Sequence, residues 1–201
     1  VVGAESGSQR VLDILKKDIK VKDIENLAYM TKDKNIVVIF SFMTGIPGEG
    51  RDDLIKTIKF INKLMKINPM NFINGPQLYR PYPGGALFDL CVKLGLNQPK
   101  NLEGWCAVLD RYTGYISPKD LPWLRDFKEL DLIYFYLRVI FKRIKVLTRD
   151  LRLVYKIPIF LLLKLVGEIR LRFNFWALPF EKEVYTILIK SIGLFSKKRF
   201  K

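Results

Sequence analysis

Glu5 stands between two glycines in the segment Gly3-Ala4-Glu5-Ser6-Gly7-Ser8, and Lys17 follows twelve positions later. A carboxylate at a strand end can accept hydrogen bonds from two vicinal hydroxyls, as carboxylates do for ribose in dinucleotide folds. Ser6 and Ser8 add hydroxyls and helix-start amides, while Gly3 and Gly7 permit close approach of a ligand to the backbone. A second bare loop, Gly45-Ile46-Pro47-Gly48-Glu49-Gly50, offers amides on which a flat heterocycle could rest. A third runs from Tyr79 and Arg80 through Tyr82 to Gly85. Taken singly, each loop reads equally well as a plain turn.

The absences are as informative. The sequence contains no histidine, which excludes Ser-His-Asp and Cys-His catalysis and the common histidine-based metal sites within it. Its two cysteines, Cys91 and Cys106, give neither a disulfide framework nor a tetrahedral metal pattern. Both are expected as small buried side chains in a reducing compartment. No metal ligand set is predicted.

The elements around these loops follow from patterning. A strand tip at the start leads into a helix capped by Ser8 and running to about Lys17. A second helix places Ile24, Leu27, Ala28 and Thr31 on one side, with Asn35 as its stop. The run IVVIFSFMTG is almost uninterrupted in its apolarity, which predicts a strand buried on both faces of a parallel sheet. Leu54, Ile58, Ile61 and Met65 then form one helical stripe, with Asp52 and Asp53 in the first turn. A third strand, NFINGPQLY, ends in RPYPGG. The order strand–helix–helix–strand–helix–strand predicts an α/β fold with crossover connections, its site at the C-terminal strand ends. After a short helix closed by Gly95, residues up to 131 read as a loop with Trp105 and Trp123 and then a proline-led helix start. The remainder is predicted as two or three helices broken near Pro158 and Pro179.

In their order and spacing, VGAESGSQRVLDILKKDI, FSFMTGIPGEGRDDLIKTIKFI and YRPYPGG resemble the second half of the radical S-adenosylmethionine barrel. They are most similar to the branch whose members carry a cobalamin-binding domain. FNFWALPFEKEVY, near the end, is similar to that branch's helical tail. The resemblance implies the C-terminal half of a partial (β/α)6 TIM-type barrel over residues 1–90, a connecting segment over 91–131 and a mostly helical region over 132–201. It implies S-adenosylmethionine as cofactor, with Glu5, Ser6 and Gly7 facing its ribose and methionine parts. Lys17 would neutralise the methionine carboxylate, and Met43, Gly45 and Ile46 would lie against adenine. Tyr79, Arg80 and Tyr82 fall on the substrate side.

This sequence departs from the branch's pattern at four positions. The asparagine expected before Lys17 is Lys16, the glycine after it is Asp18, and two loop threonines are Gly50 and Gly85. The family's CxxxCxxC, which binds a 4Fe–4S cluster, is absent. Its expected place is upstream of Val1, so the resemblance implies a fragment of an enzyme whose cluster ligands lie outside this chain. Such an enzyme cleaves S-adenosylmethionine to a 5′-deoxyadenosyl radical, for methyl transfer through cobalamin or for oxidative cyclisation. Alone, the chain is expected to be inactive.

Charge separates the tail from the rest. Residues 1–131 hold 19 Lys and Arg against 16 Asp and Glu, whereas residues 132–201 hold 16 against 4. Aromatic, aliphatic and basic residues interleave over 132–156, as in helices that lie on anionic lipid. The expected partners are a small or lipid-like substrate and an anionic membrane surface reached through residues 132–201. Nucleic acid is disfavoured, since no recognition motif accompanies the charge. The stretch IPIFLLLKLVG is too short to span a bilayer, so a cytoplasmic protein, peripheral to the membrane, is expected. Two rival readings stay open. One is a non-catalytic α/β module with a basic tail that binds membrane or nucleic acid. The other is an RNA-methylthiolating relative, against which the helical tail counts.

Overall fold

β-Branched and aromatic residues build the strands, and each strand hands over to a turn carrying glycine or proline. The computed structural model describes residues 1–34, 36–113, 121–124, 133, 157–173, 180–181 and 183–184. Strands β1 (Val2–Glu5), β2 (Ile39–Thr44) and β3 (Phe72–Leu78) lie side by side in that order as a three-stranded parallel sheet. Parallel neighbours need crossover connections. Helices α1 (Gln9–Ile14) and α2 (Val21–Lys32) supply the first, and α3 (Arg51–Ile67) the second. Helices α4 (Ala86–Lys93), α5 (Leu102–Thr113) and α6 (Ile157–Phe173) complete the described elements. The α/β class and parallel sheet agree with expectation. Among the described residues the sheet is open, not a closed barrel.

Strand alternation divides the sheet into unlike faces. Ala4, Phe40 and Phe42 are buried with Val11, Leu12, Leu54, Ile58, Ile61 and Leu64. Phe42 meets Phe60 of α3 edge to face, with ring centroids 6.4 Å apart. Among the described residues the opposite face carries no helix of comparable packing, because Ile39 and Phe72 are exposed and Ser41 and Met43 half-buried. The expectation that β2 is buried on both faces is therefore corrected. An apolar run in sequence does not say what covers its second face.

Helix α3 keeps its stripe with one change of register. Leu54, Ile58, Ile61 and Leu64 are buried, while Met65 is half-buried beside them. Lys63 of α3 pairs with Glu25 of α2 at 2.9 Å, adding a polar link between these crossovers. Helix α1 is shorter than predicted, ending at Ile14 with a tight turn before α2. Trp105, placed in a loop by the sequence reading, lies in α5 and packs on Phe88 with centroids 6.2 Å apart. Cys91 is buried as expected, but Cys106 is exposed. Pro158 sits in the first turn of α6, where a missing N–H costs nothing. Asn35, the helix over 132–156 apart from Ile133, and the Pro179 break lie outside the described residues. The chain divides into two compact units, Val1–Arg125 and Asp126–Lys201, whereas the sequence reading placed its boundaries near 90 and 131.

Candidate functional site

Glu5 ends β1 in the left-handed region, with φ of +58°, beside an irregularity in the β1–β2 register. Its carboxylate folds back over Gly3, and Lys17 Nζ lies 3.0 Å from Glu5 Oε1. A Cβ placed on Gly3 would strike that carboxylate and come within 3.3 Å of the ammonium, so the glycine is what leaves room for the pair. The turn that delivers Lys17 is strained on both sides. Lys16 has φ of +52° and Asp18 of +48°. These are the positions where the resembled branch has asparagine and glycine, the residues most tolerant of that region.

On the sheet face opposite Phe40 and Phe42 a polar row continues from this pair. Gly3 stands beside Ser41 in the ladder, and Ser41 beside Asn74. Asn74 Nδ2 donates to Ser41 Oγ at 3.2 Å, and Gln77 Nε2 donates to Asn74 Oδ1 at 3.2 Å. An ion pair, a hydroxyl and two carboxamides thus cross all three strands on one side. None of Ser41, Asn74 or Gln77 was singled out from sequence, because their alignment is a matter of register between strands some thirty residues apart.

The loop after β2 differs from expectation. Its amides are not bare, because Glu49 takes them from within. Glu49 Oε2 accepts from Thr44 Oγ1 at 2.9 Å, from Gly45 N at 2.5 Å and from Ile46 N at 3.4 Å. Burial raises the Glu49 carboxyl to about 7 despite these donors, and its Oε1 is buried without a hydrogen-bond partner among the described residues. Gly45 O accepts from Trp123 Nε1 at 2.8 Å, and a Cβ added at Gly45 would lie 3.2 Å from Leu78 and 3.5 Å from Leu124. Ile46 is fully buried. The loop is a packed wall of the rim, and any contact by Gly45 or Ile46 would be made by their surface as packed.

Ser6 and Gly7 face the other way, onto α3. Ser6 Oγ and Thr57 Oγ1 are 2.9 Å apart, and Gly7 N donates to Thr57 Oγ1 at 3.0 Å. A Cβ on Gly7 would lie 2.6 Å from that of Phe60, so close helix packing accounts for the glycine. Ser8 is the N-cap residue of α1, yet its hydroxyl donates to Asp53 Oδ1 at 2.6 Å instead of capping its own helix. Arg10 pairs with Asp53 and donates to Gly48 O at 2.7 Å, while Gly50 N donates to Asp53 Oδ2 at 3.0 Å. Asp53 therefore fastens the loop after β1 to the loop after β2. Burial opposes its charge, but the donors from Arg10, Ser8 and Gly50 prevail and hold its carboxyl at about 2. Sequence reading saw Asp53 only as a helix-dipole charge.

Beyond β3, Tyr79 and Arg80 are half-buried and Tyr82 is exposed. Tyr79 N donates to Thr44 O at 2.8 Å, which sets the third loop at the rim beside the second. Burial pushes the Tyr79 phenol up to about 12. Arg80 Nε is buried with no acceptor among the described residues. Leaving such a donor unpaired costs on the order of 1–3 kcal/mol. Met43 is half-buried on the same sheet face as the polar row. Cys91, whose thiol burial pushes up to about 11, and Cys106 lie on α4 and α5. No cluster of three acidic or cysteine side chains able to hold a metal exists among the described residues.

No family model matches the chain, and no solved structure matches it. Three curated proteins are similar to part of it. An uncharacterized protein of Methanocaldococcus jannaschii is 30% identical over 96 residues, 46% of this chain and 22% of that protein. A tRNA-2-methylthio-N(6)-dimethylallyladenosine synthase of Buchnera aphidicola is 28% identical over 98 residues, 48% of this chain and 21% of its own length. An uncharacterized methyltransferase of Pyrococcus horikoshii is 28% identical over 106 residues, covering 53% and 22%. The shared stretch spans about a fifth of each relative. Two of the three distant relatives thus carry the names of group-transfer enzymes.

Proposed function

We propose that residues 1–85 form the part of a radical S-adenosylmethionine barrel that holds the nucleoside and amino-acid portions of S-adenosylmethionine. The observation that carries this reading is the Glu5–Lys17 pair, poised over Gly3 at the C-terminal end of β1. S-adenosylmethionine presents two vicinal ribose hydroxyls and an α-carboxylate. Glu5 suits the hydroxyls as a double acceptor, and Lys17 suits the carboxylate through a charge-assisted hydrogen bond. With no ligand, the two satisfy each other. A pair with Lys17 40% exposed contributes only about 0–1 kcal/mol, so exchanging it for ligand contacts is nearly free. The packed Gly45–Ile46 wall bounds the adenine side, and the Ser41–Asn74–Gln77 row and Arg80 face the substrate.

When bound, S-adenosylmethionine would supply a transferable group or, with an iron–sulfur cluster, a radical. Cys91 and Cys106 do not fit such a cluster, one being buried and the other exposed on a different helix, and no step is assigned through it. The names of two distant relatives favour an enzyme of group transfer over a non-catalytic module. Methyl transfer through cobalamin and oxidative cyclisation are the two proposed outcomes for the whole enzyme.

Calorimetric titration of the 201-residue chain with S-adenosylmethionine tests the reading. Saturable binding is expected, weakened at least tenfold by Glu5→Gln and by Lys17→Met, with circular dichroism unchanged. A folded chain that takes up no S-adenosylmethionine, or binds it equally well in both variants, overturns it.

A further inference from the structure

Helix α6 presents apolar residues to solvent along one side. Leu161, Leu162, Leu165, Ile169 and Phe173 are each 47–71% exposed. At about 100° per residue they fall within an arc of about 120°, which Arg172 shares, and at 1.5 Å per residue they extend over about 18 Å. Leu163, Gly167 and Arg170 occupy the buried side. Arg170 fixes that orientation, because its guanidinium, only 4% exposed, donates to Glu181 Oε1 at 2.8 Å and Oε2 at 2.7 Å. Rolling the helix to hide the leucines would pull a paired charge into the open.

An exposed apolar stripe of this size marks a contact surface rather than ordinary scatter. The charge around it selects the partner. Residues 132–201 carry 16 Lys and Arg against 4 Asp and Glu, and one of those acids, Glu181, is already committed to Arg170. No described helix is long and apolar enough to cross a membrane. Exposed apolar side chains within a strongly cationic segment supply the two attractions, apolar burial and charge, by which a protein segment holds to the headgroup region of an anionic bilayer.

We infer that the exposed arc of α6 is a membrane-docking surface that inserts Leu161, Leu165 and Ile169 among the lipids of an anionic bilayer. The basic residues of the same segment supply the attraction that brings it there.

Co-sedimentation of the full chain with phosphatidylglycerol-containing and pure phosphatidylcholine vesicles tests this. Binding to the anionic vesicles is expected to exceed that to the neutral ones by tenfold or more and to weaken as salt screens the charges. The triple variant L161Q/L165Q/I169Q should lose at least tenfold in anionic-vesicle binding. Leu165→Trp supplies a reporter, read as the difference from the unsubstituted chain with its own three tryptophans, whose emission should shift to shorter wavelength on anionic vesicles, and it remains informative if the triple variant misfolds. Equal binding to both vesicles, no binding, or an unshifted tryptophan overturns the inference. So does a triple variant that keeps vesicle binding but dissociates a dimer, which would assign the arc to self-association.

Discussion

The hydroxyl of Ser8 donates to Oδ1 of Asp53 at 2.6 Å, joining residues 45 positions apart at the starts of two different helices. Around that bond Arg10 and Gly50 complete the shell of the Asp53 carboxylate. The loop that carries Glu5 is thereby locked to the loop that carries Gly45, and both rim walls keep a fixed separation.

The stability of this lock depends on acid. Asp53 is depressed in the folded state to about 2 from 3.8. Its contribution, about 2 kcal/mol, is therefore present above the unfolded value and is lost as pH falls through about 2. Urea denaturation at pH 3 and pH 6 should show about half of it, about 1 kcal/mol, and Asp53→Asn should remove most of that difference. Asp53→Ala, which strips acceptors from Ser8 and Gly50, should cost about 2–3 kcal/mol at pH 7.

Glu49 acts in the opposite sense. Burial raises it from 4.5 to about 7, so the folded chain holds a proton that the unfolded chain releases. The contribution is complete below pH 4.5 and disappears as pH rises through about 7, amounting to about 3 kcal/mol. Glu49→Gln should flatten the stability profile between pH 5 and 8. A steep profile retained in that variant would assign the proton to another group.

Asp18 carries backbone strain that its side chain does not need. With φ of +48°, it occupies a conformation that glycine adopts freely. Asp18→Gly should raise stability by about 0.5–1 kcal/mol, read as a higher urea midpoint with unchanged slope. An ordinary glycine substitution would lower it instead.

Gly3 is set by the ion pair above it. Gly3→Ala would drive a methyl against Glu5 Oε1, the flexible end of a side chain, so the fold should survive within about 1 kcal/mol. The displaced carboxylate should weaken S-adenosylmethionine binding at least tenfold, or about 1.4 kcal/mol, in the same titration used for Glu5→Gln.

Much of the frame was legible in the residues themselves. The order of strands and crossovers, the parallel sheet and the glycine-rich loops at its rim follow from periodicity and turn chemistry, which act over a few neighbours. The strain at Asp18 was foreshadowed by a glycine expected there. Other features were hidden. Ser6 and Gly7 read as ligand contacts because a Gly-Ser loop looks the same whether it faces solvent or a helix. Thr57 and Phe60, fifty positions away, decide that they face α3.

The sequence by itself determined which segments are strands and helices, where the chain must turn, and that its positive charge collects after residue 131. These are local or additive properties. Only the tertiary structure decided that Glu49 closes its own loop, that Asp53 ties two rims together, and that Ser41, Asn74 and Gln77 form one row. Each of these depends on register and packing between segments distant in the chain, where a shift of one residue would exchange the faces of a strand.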